Sequence, residues 1–359
     1  MMNNNKIKRN QKLATYNPND VSLNDNGLFG FPFDYNESEL IIIGVPWDAT
    51  TSYKPGTAGA PRSILKASKQ LDSYTMYAKN EWKRGIYLCL DDTTSIENTN
   101  KIARDLALNV IQAAETGKEI SDAIQIDLNK TNQYCEMMND WVYKKTKKII
   151  NDNKYVALLG GDHSTPLGLY KALLEKHNSF GILQIDAHCD LRKCYEGFTY
   201  SHASVMYNAL PLQGIETLVQ VGIRDYCEAE IDTANSSKKV QIFYDENVKN
   251  ELYQGVTWHE QCEKIVAALP NKVHVSFDID GLSPHLCNGT GTPVAGGFEL
   301  SHIHYLLHRI RANHKQIISF DLVEVNETAE EDEYNSNVGA RALMMLSNFL
   351  FLTNKEIDI

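Results

Sequence analysis

From Glu39 onward, short apolar runs alternate with stretches in which apolar residues recur at helical spacing. Runs such as Leu40–Val45 are too short for core helices and too uniformly apolar for half-exposed strands. Each therefore predicts a strand covered on both faces. Eight are expected: Leu40–Val45, 85–90, 155–159, 181–185, 217–222, Val240–Tyr244, 272–277 and 316–321. Helical spacing predicts helices over 61–71, 98–116, 130–152, 166–177, 202–210, 257–269, 299–312 and 336–353, the first opening at Pro61. Strands joined by helices predict an α/β fold: a three-layer α/β/α domain around a mainly parallel, about eight-stranded sheet. Right-handed crossovers then bring every strand's C-terminal end to one edge, where such sheets bind ligands.

Residues 1–38 break the pattern. They are rich in Asn, Asp, Pro and Gly without a sustained period, and predict an extended arm. Residues 39–359 then form the α/β domain. The helical pair within 98–152 exceeds what a crossover needs and reads as an elaboration of that domain. Its contacts, and those of the arm, are left open.

Composition narrows the function. Acidic side chains outnumber basic ones by 46 to 35, for a net charge of −11. Nucleic-acid binding needs a basic footprint, so that class is excluded, while a small cationic substrate is suited. No apolar run reaches 18 residues, so no membrane span is expected. The polar, Asn-rich start lacks the apolar region of a signal peptide. Seven scattered cysteines suit a reducing cytoplasm better than a disulfide framework.

The candidate chemistry lies just beyond three predicted strands: Gly160-Gly161-Asp162-His163-Ser164, Asp186-Ala187-His188-Cys189-Asp190 and Asp278-Ile279-Asp280. Carboxylates and imidazoles ending apolar strands repel one another and lose hydration, and a divalent cation offsets both penalties. Residues two apart point the same way in extended chain, which explains the spacing of Asp186, His188 and Asp190, and of Asp278 and Asp280. With His163 they make six candidate ligands. One metal would leave carboxylates over; two sharing aspartates would use all six. Mostly oxygen donors with a little imidazole favour Mn²⁺ over Zn²⁺. Cys189 points the other way and reads as core. His202 is a candidate proton shuttle titrating near neutrality. Glu324, after the last strand, is a candidate grip for a planar cation. Gly289–Gly297 is a loop that lets backbone approach a ligand closely.

These residues resemble the ureohydrolase family, which includes arginase and agmatinase. The likeness runs from about Leu40 to Phe351. It includes Gly44-Val45-Pro46-Trp47-Asp48, Ser52-Tyr53-Lys54-Pro55-Gly56, the three motifs above, Gly291-Thr292-Pro293 and Asp321-Leu322-Val323-Glu324-Val325-Asn326. It implies an arginase-like fold and two Mn²⁺ per subunit. His163, Asp186, Asp190 and Asp278 would hold one ion; His188, Asp186, Asp190 and Asp280 the other. His202 would shuttle protons, with Asp190 and Glu324 also catalytic; Glu324, His202 and Glu196 would contact substrate. The stretch from Tyr195 to Met206 looks most like agmatinase. This implies hydrolysis of agmatine to putrescine and urea, hence polyamine metabolism. Alternatives are the same reaction on arginine, guanidinobutyrate, guanidinopropionate or guanidine, or a deacetylase-like metal amidohydrolase. The family is commonly trimeric or hexameric, so a homo-oligomer is implied. Ser283 and Glu327 depart from the usual residues, and Arg192 and Lys193 put positive charge near the expected mouth.

Overall fold

The computed structural model describes residues 2–23, 25–117, 121–327 and 333–354. In chain order its strands are β1 (Leu40–Val45), β2 (Ile86–Cys89), β3 (Tyr155–Gly160), β4 (Phe180–Ile185), β5 (Ile215–Ile223), β6 (Val240–Tyr244), β7 (Lys272–Asp278) and β8 (Gln316–Val323). The α-helices are α1 (Met2–Thr15), α2 (Ala60–Ser68), α3 (Thr93–Glu115), α4 (Asp122–Asn151), α5 (Leu167–His177), α6 (Val205–Ala209), α7 (Glu228–Ser236), α8 (Asp245–Tyr253), α9 (Trp258–Ala267), α10 (Leu300–Ala312) and α11 (Tyr334–Thr353).

The eight strands form one sheet in the order β2-β1-β3-β8-β7-β4-β5-β6, and every pairing is parallel. Alternation along the strands divides the core in two. Leu40 and Ile42 of β1 join a cluster with α2, α9, α10 and α11. Ile41, Ile43 and Val45 face the opposite cluster, which holds buried residues of α3, α4, α5 and α6. The result is three layers. Successive strands β3 and β4 are separated by β8 and β7, so the chain leaves the sheet centre and returns to fill it last.

The N-terminal segment corrects the expectation of an extended arm: residues 2–15 are the helix α1. No Pro or Gly interrupts them, and polar tethers on one face replace an apolar stripe. Arg9 Nη1 lies 2.8 Å from Glu39 Oε1, and Lys12 Nζ 2.6 Å from Glu37 Oε2. Beyond the helix, Phe29, Phe31 and Phe33 are buried with Trp82. In place of one helix over 202–210, a 3₁₀ turn (His202–Ser204) runs into α6. Helices α7 and α8 lie where none was expected. Among the described residues, no helix is long and apolar enough to cross a membrane.

Candidate active site

Four adjacent central strands, β3, β8, β7 and β4, end at the same edge, and each delivers an ionisable group there. His163 follows β3 and Glu324 follows β8. Asp278 closes β7, with Asp280 in the next turn. Asp186, His188 and Asp190 follow β4. These residues, apart from the wholly enclosed Asp186, line one cleft of about 150 Å³ together with Ser52, Arg192, Tyr195, His202, Asp225, Glu230 and Thr292.

The six expected ligands converge in two overlapping groups. His163 Nδ1 lies 3.1 Å from Asp186 Oδ2, 2.8 Å from Asp190 Oδ2 and 3.4 Å from Asp278 Oδ2. His188 Nδ1 lies 3.6 Å from Asp186 Oδ1 and 3.0 Å from Asp280 Oδ2. Asp186 thus turns one oxygen to each group. Both groups, His163 with Asp186 and Asp190 and Asp186 with His188 and Asp280, are compact enough for a metal ion.

The surrounding hydrogen bonds fix how these atoms point. Gln184 Nε2 donates to Asp186 Oδ2 (2.8 Å), and the His188 amide donates to Asp186 Oδ1 (2.6 Å). The Ala187 amide donates to Asp280 Oδ1 (3.0 Å), and the Asp280 amide to Asp278 Oδ1 (2.9 Å). Ser276 Oγ donates to Asp321 Oδ1 (2.9 Å), so at 2.9 Å from His163 Nε2 it is the acceptor there. That places the imidazole proton on Nε2 and leaves Nδ1 as a lone pair. Tyr170 and His274 complete this buried network by contacting Asp321 Oδ2 at 3.2 and 2.7 Å.

Among the described residues, buried Nδ1 of His163 and Oδ2 of Asp190 have no hydrogen-bond partner, although they face each other. Two lone pairs brought together without a proton between them fit a cation. The donor set of four carboxylates and two imidazoles fits Mn²⁺.

Electrostatics tell the same story. Burial and the neighbouring Asp186 push Asp190 up to about 7. Burial, Asp280 and Asp186 hold Asp278 well above the usual carboxylate range. Burial opposes a charge on His188, but Asp280 and Asp186 raise it to about 12. Burial likewise opposes a charge on His163, and Asp186, Asp190 and Asp278 outweigh it. For Asp186, burial is outweighed by His163 and His188, and the net shift is downward. Without a cation such an acidic cluster would draw protons onto its own histidines in the cation's place, so it is short of positive charge.

Glu324 is buried on the cleft wall. Its Oε1 accepts the His163 amide at 2.8 Å, and Oε2 is turned toward Gly291. Burial and Asp162 hold its carboxyl well above the ordinary range. Asp190 and Glu324 take positive φ, 53° and 62°, a strained setting for non-glycine residues that functional sites often store. His202 borders the cleft with its ring 5.9 Å from that of Tyr195, edge to face. Burial and the nearby His188 and His163 lower it to about 4, so it is neutral at pH 7 rather than poised near neutrality. Bound cations would push it the same way.

Glu196 does not join the cleft. Its φ of 53°, followed by Gly197 at 88°, turns the chain between Tyr195 and Phe198. Its carboxylate is placed against the charges of Glu115 and Arg104 instead. Cys189 is buried in the hydrophobic cluster of one sheet face. Lys193 is not on the cleft wall. Arg192 is, but it stands 3.7 Å from the buried Glu230 and 5.0 Å over the Tyr195 ring. Sequence reasoning gave no role to Gln184, Ser276, Asp321, Asp225 or Glu230. The first three had a readable signal: polar residues inside otherwise apolar strands.

Residues 38–347 match the Arginase family. The N(1)-aminopropylagmatine ureohydrolase of Synechocystis sp. is 28% identical over 297 residues, 81% of this chain and 82% of that protein. The agmatinase of Bacillus subtilis is 26% identical over 323 residues, 88% and 94% of the two chains. The structure of agmatine ureohydrolase of Thermoplasma volcanium superposes with a TM-score of 0.68 at 22% identity, covering 95% of this chain and 98% of that one. Proclavaminate amidino hydrolase from Streptomyces clavuligerus gives 0.69 at 19% identity, covering 93% and 100%. With most of its length matched and its acidic clusters gathered at one sheet edge, this chain belongs to the arginase family of hydrolases, and within it is an agmatinase-like ureohydrolase.

Proposed function

We propose that the chain hydrolyses agmatine to putrescine and urea, using two Mn²⁺ per subunit. One ion would be held by His163, Asp186, Asp190 and Asp278, the other by His188, Asp186, Asp190 and Asp280. The observation that carries this reading is Asp186, whose two oxygens serve two histidine-bearing groups in a cleft that also holds Glu324.

The chemical problem is a resonance-stabilised guanidinium carbon and water, a poor nucleophile at neutral pH. Bound divalent cations would supply Lewis acidity, lowering the pKa of water and stabilising the charge that develops. The chain's own residues do the rest. Glu324 Oε2 accepts N–H bonds from the guanidinium and holds its carbon against the aspartate cluster. Asp190 Oδ2, without a hydrogen-bond partner, receives the proton released as water adds and returns it to the leaving nitrogen. His202, neutral at pH 7, passes protons between that nitrogen and the cleft mouth.

The amine tail favours agmatine. Asp225 and Glu230 line the cleft, and Glu230 and Tyr195 occupy Arg192. The relatives that act on N(1)-aminopropylagmatine support a second reading, a longer cationic tail on the same guanidino group.

A panel of agmatine, N(1)-aminopropylagmatine, arginine and guanidinobutyrate on manganese-loaded protein, scored by urea release, is the test. The highest kcat/KM is expected on agmatine. Preference for arginine would remove the agmatine assignment, and no urea from any of them would remove the whole reading.

A further inference from the structure

The cleft has two walls from distant parts of the sheet. One is the loop after β1, which carries Ser52; the other is the loop after β4, which carries Arg192 and Tyr195. Strands β3, β8 and β7 lie between β1 and β4, so the two wall-bearing strands do not pair with each other. Both are tied to the α3–α4 pair.

On the first side, Asn100 of α3 pairs reciprocally with Asp48: the Asp48 amide donates to Asn100 Oδ1 (2.9 Å), and Asn100 Nδ2 donates to Asp48 Oδ1 (2.9 Å). The other Asp48 oxygen accepts the Gly56 amide at 2.8 Å, closing the loop around Ser52. One turn on from Asn100, Arg104 Nη1 donates to the carbonyls of Ala49 and Thr51. On the second side, Asn132 of α4 accepts the Thr199 amide at 2.9 Å and reaches the Gly197 carbonyl. Phe198 is fully buried in a small cluster with Ala107, Val110 and Ile111 of α3 and Leu128 of α4. Burial lowers Arg104 and the charges of Asp48, Asp162 and Glu196 oppose that shift, while its hydrogen bonds go to the first wall.

We infer that the α3–α4 pair is a brace that fixes the width of the cleft mouth, with Arg104 as the positioning residue that holds the Ser52 wall. The proposal rests on the hydrolase reading only for its kinetic consequence. Wall residues hold the substrate alike before and during reaction, so loosening them raises KM and spares kcat.

The test uses the full-length manganese-loaded protein with Arg104→Met, Arg104→Lys and Asn132→Ala, measuring agmatine kinetics, manganese content and amide hydrogen exchange. Arg104→Met is expected to raise KM by about fivefold to tenfold, with kcat within about twofold and manganese retained. Arg104→Lys, keeping the charge but losing the forked donor, should fall between. Exchange at Gly56 and Ala58, whose amides Asp48 holds, should speed about tenfold in Arg104→Met, and exchange at Thr199 in Asn132→Ala, while amides of β1 and β3 stay protected. Unchanged exchange at those three amides would overturn the brace, as would faster exchange across the whole sheet. Should Arg104→Met fail to fold, Asn132→Ala loosens the second wall alone and must raise exchange at Thr199. Exchange needs no turnover, so a chain that releases no urea would sink the proposed reaction while leaving the brace to be decided.

Discussion

Buried acid occurs at both ends of the sheet, and the two ends treat it differently. At the entry to β1, Glu39 is clasped by Arg9 at 2.8 Å and Arg84 Nε at 2.7 Å, so each oxygen has its own cation. At the opposite edge, Asp186, Asp190, Asp278, Asp280 and Glu324 gather, and among the described residues their ion pairs are to histidines alone, with Asp190 Oδ2 and His163 Nδ1 left without hydrogen bonds. A buried charge neutralised by its own chain is architecture. One left short of positive charge is built for something the chain does not itself supply.

The predictions press on that contrast. Asp186→Asn removes the oxygen charge shared by both ligand groups. We expect loss of bound manganese and a fall in kcat of about three orders of magnitude, read by elemental analysis and urea release. Retention of both ions and full rate would refute the shared-ligand assignment. Glu324→Gln should keep its manganese yet lose about 100-fold in kcat/KM, because an amide grips guanidinium poorly. If metal content falls in parallel, Glu324 belongs to the metal cluster instead.

At the other end, Arg9→Met should cost about 2 kcal/mol in denaturant unfolding, because Arg84 still partners Glu39. Its kcat and manganese content should match the parent; a drop in either would join the two ends functionally. Ser276→Ala frees the His163 tautomer and should weaken manganese binding about tenfold, measured by competition with a chelator.

The smallest effect is in pH. Burial raises Asp162, and burial with Asp186 raises Asp190, each to about 7. A carboxyl raised on folding adds stability below its unfolded value that is lost as pH rises through its folded one. Metal-stripped protein should therefore melt at a higher temperature at pH 6 than at pH 8. His202, lowered to about 4, opposes this only as pH falls from 6.5. Manganese-loaded protein should show the reverse sign, since protons then compete with the ion. Equal slopes with and without manganese would break the argument.

Much of this was legible in the chain. Strands such as Leu40–Val45 are apolar at every position, a signature of burial on two faces, and the ligand motifs follow directly on the strands that present them. The supporting shell was only half legible: Gln184, Ser276 and Asp321 are visible as polar breaks in apolar strands, but their pairing across β4, β7 and β8 depends on a strand order that local pattern does not encode. Helix α7 was missed because it buries only Glu230 and Ala234, leaving hardly any apolar stripe to read. Helix α1 was missed for a related reason: it docks through Arg9 and Lys12 to acids beyond Asp34. The placement of Glu196 turned on one left-handed residue, which spacing alone does not reveal.

The strand order has a consequence for biosynthesis. Because β8 is made after both β3 and β7 yet lies between them, a ribosome-bound chain ending before residue 316 has a gap through the middle of its sheet. His163 and Asp278 then have no shared floor, and neither Asp321 nor Glu324 exists to orient them. Hydrolytic competence therefore waits for β8 and Glu324, and any chain that stops short of them lacks the completed site.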